Sequence, residues 1–219
     1  AYGSTPTVPA EPVDGELVFG GWFADEALTV PFDFTAALTA DATAYARWIT
    51  VADAAATLQV TASATSALVG SGVDLTVTAT GADGDPLGDV TGQVTFTSAS
   101  PGVTLSGATA SFAAVGDAVV TATLGGATGT ETVEVLPLPF VDVPLGTLFF
   151  DEIRWLSDAG ISTGWPTADG EREFRPLDPV ARDAMAAFLY RLAKPVDYTP
   201  PATSPFVDVP VDSQFYREI

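Results

Sequence analysis

Two residues in the last third of the chain have the chemistry to hold a ligand, Arg182 and Trp165. Arg182 falls in the first turn of an expected helix, where the positive end of the helix dipole disfavours a cation by roughly 0.3–1 kcal/mol. Something should compensate. An anion bound at the helix N-terminus would, because backbone N–H groups and the guanidinium then act together, and a charged hydrogen bond contributes about 1.5–3 kcal/mol. An ion pair with Asp178 or with a carboxylate of a neighbouring unit would serve the same end. Trp165 belongs to the loop before that helix, where its indole can stack on a sugar or cap the small core of a helical pair. Asp142 and Asp208 are expected to hold turns by side-chain to backbone bonds.

What the chain lacks removes most other chemistry. With no His and no Cys among its 219 residues, it has neither the commonest general base and metal ligand nor any disulfide or thiolate site. Paired carboxylates remain as acid and base, but nothing in the sequence sets two of them across a cleft. No catalytic residue, cofactor or metal centre is therefore expected. The Ala82–Asp85 stretch (ADGD) reads as a hairpin turn and not as a calcium loop. Eight basic against 28 acidic residues, a formal charge of −20, argue against a nucleic-acid partner, which needs a basic surface. Pro and charged residues interrupt every apolar run, so no membrane insertion is expected.

The elements that would position Arg182 and Trp165 come from a repeated unit. PFVDVP at Pro139–Pro144 recurs at Pro205–Pro210, and at the same offset Phe149, Phe150, Glu152 and Ile153 align with Phe215, Tyr216, Glu218 and Ile219. Such a repeat implies a tandem structural unit whose second copy is cut short. Phe149, Ile153 and Leu156 form an apolar helical stripe in the segment 149–159, and Gly160 supplies the stop. Residues 161–175 read as a loop. Asp178 and Pro179 read as the cap and first position of a second helix, with Ala184, Met185, Phe188, Leu189 and Leu192 on its buried face and Pro195 beyond its end.

These landmarks, FVDVP, a helix ending in AGI, then TGW, then FRPLDPVAR before a second helix, resemble the S-layer homology domain over 138–196, with a linker and truncated second copy over 197–219. The resemblance implies repeats that assemble in threes and bind secondary cell-wall polysaccharide, often pyruvylated, in grooves between them. The family's Thr-Arg-Ala-Glu motif falls on Ala181, Arg182, Asp183 and Ala184, so the sugar-contacting Arg is kept while the Thr and Glu are not. Linked weak grooves would gain through effective concentration, a physical reason for tandem copies.

Upstream, the texture is that of β modules. No Lys or Arg occurs from 51 to 137. Period-2 alternation at Leu58–Ala62, Val73–Ala79, Val94–Phe96, Ala118–Leu124 and Val133–Val135, broken by Gly and Pro turns, predicts six or seven strands folded as a two-sheet sandwich. The stretch resembles a bacterial immunoglobulin-like domain. In residues 1–50, Leu17–Phe23 and Thr43–Trp48 read as two strands. AYGSTPTVPAEP, FGGWFADEALTVPFDF and LTADATAYARW there resemble the Listeria–Bacteroides, or internalin B-type, repeat, which implies a β-grasp fold. That family's opening strand precedes AYGS, so a partial repeat is expected. Trp22 and Trp48 suit the core of a small sheet, or else a carbohydrate platform.

The expectation is a multidomain chain: partial β-grasp repeat, all-β sandwich, then a helix-loop-helix unit with a truncated copy. Its expected role is that of a non-catalytic bacterial surface protein at the cell wall. The β modules would form a stalk, or an adhesin for a host or neighbouring-cell ligand, and the helical repeats would anchor it to wall polysaccharide. The alternative is the accessory region of a secreted enzyme whose catalytic domain lies elsewhere.

Overall fold

Two short strands, β1 (Val18–Phe23) and β2 (Tyr45–Ile49), pair antiparallel near the start of the computed structural model, which describes residues 3–219. Ala1 and Tyr2, which open the AYGS match, lie outside the described residues. Phe19 meets Trp22 and Trp48 edge-on, at 5.2 and 6.1 Å between ring centroids. Both tryptophans are half-buried in this small sheet. The loop between the strands is ordered by Asp25, whose carboxylate accepts from the Thr29 hydroxyl and from the Thr29 and Val30 amides. Those bonds, the Thr29 hydroxyl first, hold the carboxyl below its ordinary value.

A four-residue helix, α1 (Val51–Ala54), leads into nine strands: β3 (Ala55–Ala62), β4 (Ser66–Leu68), β5 (Gly72–Gly81), β6 (Pro86–Asp89), β7 (Thr95–Thr97), β8 (Val103–Ser106), β9 (Thr109–Phe112), β10 (Gly116–Leu124) and β11 (Ala127–Leu136). One sheet runs β3-β5-β9-β8, with β6 also on β5; the other runs β4-β11-β10-β7. β4 joins β11 in parallel, so the chain crosses between sheets after β3. The two sheets enclose one core, so the unit is a β-sandwich. The alternation works as read: Val73, Leu75, Val77 and Ala79 of β5 face Ala118, Val120, Ala122 and Leu124 of β10 and Val133 and Val135 of β11 in one buried core. Each buried Val or Leu contributes about 1.5–3 kcal/mol. The count is nine and not six or seven because β4, β6 and β8 have three or four residues and no fully buried side chain, too short to set up a period. Ala82–Asp85 is the turn between β5 and β6, closed by the Gly81 amide on the Asp85 carbonyl.

A second unit covers Pro137–Ile219. It holds α2 (Phe150–Asp158), a two-residue ladder of β12 (Trp165–Pro166) and β13 (Arg172–Glu173), and α3 (Arg182–Ala193). Four expectations change here. Phe149 takes a left-handed cap conformation at φ 63° and stays 62% exposed, while Phe150 turns in beside buried Ile153. Residues 161–175 are a hairpin and not a plain loop. The second helix starts three residues later than Asp178-Pro179 indicates, with Ala181 as its cap. Asp178 instead closes a turn, its amide donating to the Arg175 carbonyl at 3.1 Å, with Pro176 at the second turn position it favours.

The fourth change is the helix face. α3 buries Ala187, with Ala184 and Phe188 partly covered, whereas Met185, Leu189 and Leu192 are exposed. The covered face carries Ala184, Phe188 and Arg191 at i, i+4 and i+7, and Arg191 is held by the Ile161 carbonyl and Glu218. The end of α2 is as expected. Gly160, at φ 67°, lets the Ile161 amide reach back to the Leu156 carbonyl and its own amide to that of Ser157, which is a Schellman closure.

The repeat is also a repeat of backbone course. Thr147 to Pro144, Phe150 to Thr147 and Ile153 to Phe149 are amide-to-carbonyl bonds, and Ser213 to Pro210, Tyr216 to Ser213 and Ile219 to Phe215 reproduce all three.

Candidate functional site

PFVDVP of the first copy braces the hairpin that carries Trp165. The Val141 amide donates to the Arg172 carbonyl, and the Asp142 carboxylate accepts from the Phe174 and Arg175 amides at 2.8 and 2.7 Å. Asp142 thus ties backbone as its residue type suggests, but it spans more than thirty residues and pins the strand that follows Trp165. Buried Phe140 packs on Phe174, 5.3 Å between centroids, and against Gly164. A Cβ at Gly164 would stand 2.5 Å from the Phe140 ring and 2.8 Å from the Glu173 carbonyl, and the residue sits at φ 62°. Only glycine fits there without strain. The Arg172 guanidinium donates to the Thr163 carbonyl at 2.6 Å and fixes the other side of the hairpin.

Trp165 is presented by this hairpin. It is 45% exposed, and the Arg175 guanidinium lies 5.4 Å from its ring centroid while pairing with Glu173 at 3.1 Å. Two adjoining hollows, of about 100 and 230 Å³, share Trp165, Phe174, Ala184, Phe188, Gln214 and Phe215. The last two belong to the second copy, so the cleft is walled by both. Arg191 of α3 joins the copies: it donates to the Ile161 carbonyl at 3.0 Å, pairs with Glu218 at 3.6 Å and covers the Phe215 ring at 5.6 Å. Arg217 adds a bond to the Tyr190 hydroxyl at 3.3 Å.

Trp165 therefore lies in a cleft wall. Arg182, the first residue of α3, is exposed, is not among the residues lining either hollow, and has no ion pair with Asp178. The cation that meets the indole is Arg175, which sequence reasoning missed. Reading residues 165–173 as a hairpin would have set Arg175 beside Trp165, but a ladder two residues long gives no periodic signal. Asp208, unlike Asp142, makes no tie to backbone among the described residues.

A larger hollow in the first unit, about 750 Å³, is edged by Glu11, Asp14, Glu16, Asp53, Asp83 and Asp85. Among the described residues no three acidic groups are placed to share a metal ion, and no helix is long and apolar enough to cross a membrane.

No family model matches the sequence, and no curated protein matches it. Among solved structures, domains 6–7 of the surface layer protein SbsC are similar at 31% identity and a TM-score of 0.27, over 37% of this chain and 46% of that one. Domains 5–6 of the S-layer protein SbsC give 26% and 0.28, over 44% and 61%. A structure of domains 4–9 gives 27% and 0.28, over 44% of this chain and 19% of that one. The chain thus spans less than two thirds of each of these structures. TM-scores this low carry nothing about fold or function.

Proposed function

We propose that the chain is a non-catalytic bacterial surface protein whose second unit holds cell-wall polysaccharide in the Trp165 cleft, with the β modules serving as stalk. The observation that carries this reading is a half-exposed indole, backed by a guanidinium and fixed on a hairpin, at the edge of a cleft large enough for a sugar ring. Aromatic faces bind the apolar face of a sugar at small entropic cost, because the ring is already held. Arg182 stands at the first turn of α3, without an ion pair among the described residues, and is open to an acidic group of the polymer outside the cleft. On this reading the chain acts outside the cell, at the wall.

The test is co-sedimentation of the chain with purified Gram-positive walls before and after removal of their secondary polysaccharide, beside Trp165→Ala and Arg182→Ala. The expected result is sedimentation that requires the polysaccharide and Trp165 and is weakened by Arg182→Ala. Equal sedimentation with stripped walls, or none with intact walls, would refute it.

A further inference from the structure

The charges around the cleft bear on what kind of sugar it takes. Two cations line it, and both are already neutralised: Arg175 by Glu173 at 3.1 Å, and Arg191 by Glu218 at 3.6 Å. Two carboxylates also line it, Asp178 and Asp183, and neither has an ion-pair partner among the described residues. Asp183 spends one oxygen on the Ala184 amide and keeps the other. The remaining polar side chains are uncharged, among them Gln214, Ser162 and Thr163. The cleft therefore carries a surplus of negative charge beside an aromatic face.

We propose that the cleft takes an uncharged, hydroxyl-rich saccharide segment, stacked on Trp165 with its hydroxyls donating to Asp178 and Asp183, and that it disfavours acidic sugars. A carboxylate is an acceptor with several lone pairs, suited to neighbouring hydroxyls, and such charge-assisted bonds are stronger than neutral ones. The same two groups repel an acidic sugar. Two like charges at contact range, in a site open to water, lower its affinity on the order of fivefold to tenfold. Gln214 can donate to a sugar oxygen as well as accept, so the second copy contributes to the same recognition.

This inference rests on the wall-polysaccharide reading and is tested so that the two can fail separately. The probe is a carboxylate-bearing wall polysaccharide, untreated and after its carboxylates are coupled to ethanolamine as neutral amides. Binding is measured by calorimetry for the full chain and for Arg182→Ala, which removes the one cation proposed to act outside the cleft. The expected result is that Arg182→Ala binds the amidated polymer about fivefold to tenfold more tightly than the untreated one. Asp178→Asn combined with Asp183→Asn should shrink that ratio towards one and weaken binding of the amidated polymer.

Equal or tighter binding of the untreated polymer by Arg182→Ala would overturn the proposal while leaving the wall reading standing. So would loss of all binding in Arg182→Ala while the unsubstituted chain still binds. Failure of the unsubstituted chain to bind either polymer would defeat the wall reading, and this proposal with it.

Discussion

Phe140 and Phe206 occupy the same place in the same hexapeptide, yet the first is 1% exposed and the second 50%. The backbones that follow them make the same three turn bonds. The difference lies in what each hexapeptide faces. Phe140 meets Phe174 and Gly164, and Asp142 beside it holds two amides of the same hairpin. Among the described residues no such hairpin faces Phe206 or Asp208. Local sequence therefore sets the course of the backbone, while burial and the use of the aspartate depend on a hairpin about thirty residues away. That hairpin is the one that presents Trp165.

The comparison can be broken most strongly at the phenylalanines. Phe140→Ala should cost about 3–5 kcal/mol, as expected for a buried aromatic, whereas Phe206→Ala should stay within about 0.5–1 kcal/mol. Urea unfolding followed by hydrogen exchange of the α2 amides would read both. Equal losses would mean that the two copies are packed alike.

Next comes Gly164→Ala. The Phe140 ring is buried and cannot yield, so overpacking alone should cost about 1–3 kcal/mol. The same assay should also show the hairpin amides exchanging faster. An unchanged unfolding midpoint would mean that Phe140 does not press on this turn.

Asp142→Ala leaves two amides without their acceptor and should cost about 1–2 kcal/mol, against no measurable change for Asp208→Ala. Amide exchange at Phe174 and Arg175 should rise in the first variant alone. A matching loss in Asp208→Ala would show that the second aspartate is engaged too.

The smallest expected effect sharpens the comparison from the side of the second copy. Arg191→Gln removes an ion pair that is only partly shielded and a ring contact, so about 0.5–1.5 kcal/mol should be lost. It should appear as faster proteolysis within 205–219 and not in α2. Unchanged proteolysis would mean that Arg191 does not hold the copies together.

How much of this was legible in the sequence differs by region for a physical reason. In the sandwich a side chain's face follows from its parity, so Val73 to Ala79 and Ala118 to Leu124 could be assigned without knowing their partners. On α3 the apolar residues circle most of the helix, and which of them are covered depends on contacts distant in sequence, those of Arg191 with Ile161, Phe215 and Glu218; Leu189 is 59% exposed although its type suggests a core. Asp178-Pro179 was a true punctuation signal, but it ends a turn here and starts no helix. The candidate site was half legible. Trp165 stood out by type, while Arg175 enters through a hairpin too short to leave a pattern.

The most direct test of the account uses a second exposed tryptophan as its control. Trp155 on α2 is 54% exposed and Trp165 is 45% exposed, but only Trp165 lines the cleft. Binding of purified wall polysaccharide should be measured by calorimetry for Trp165→Ala and Trp155→Ala, each first checked for an unchanged unfolding midpoint. At least about a fivefold loss is expected for Trp165→Ala, the roughly 1 kcal/mol or more that truncating an anchoring aromatic costs, and unchanged affinity for Trp155→Ala. Unchanged binding by Trp165→Ala, or an equal loss in both, would contradict it.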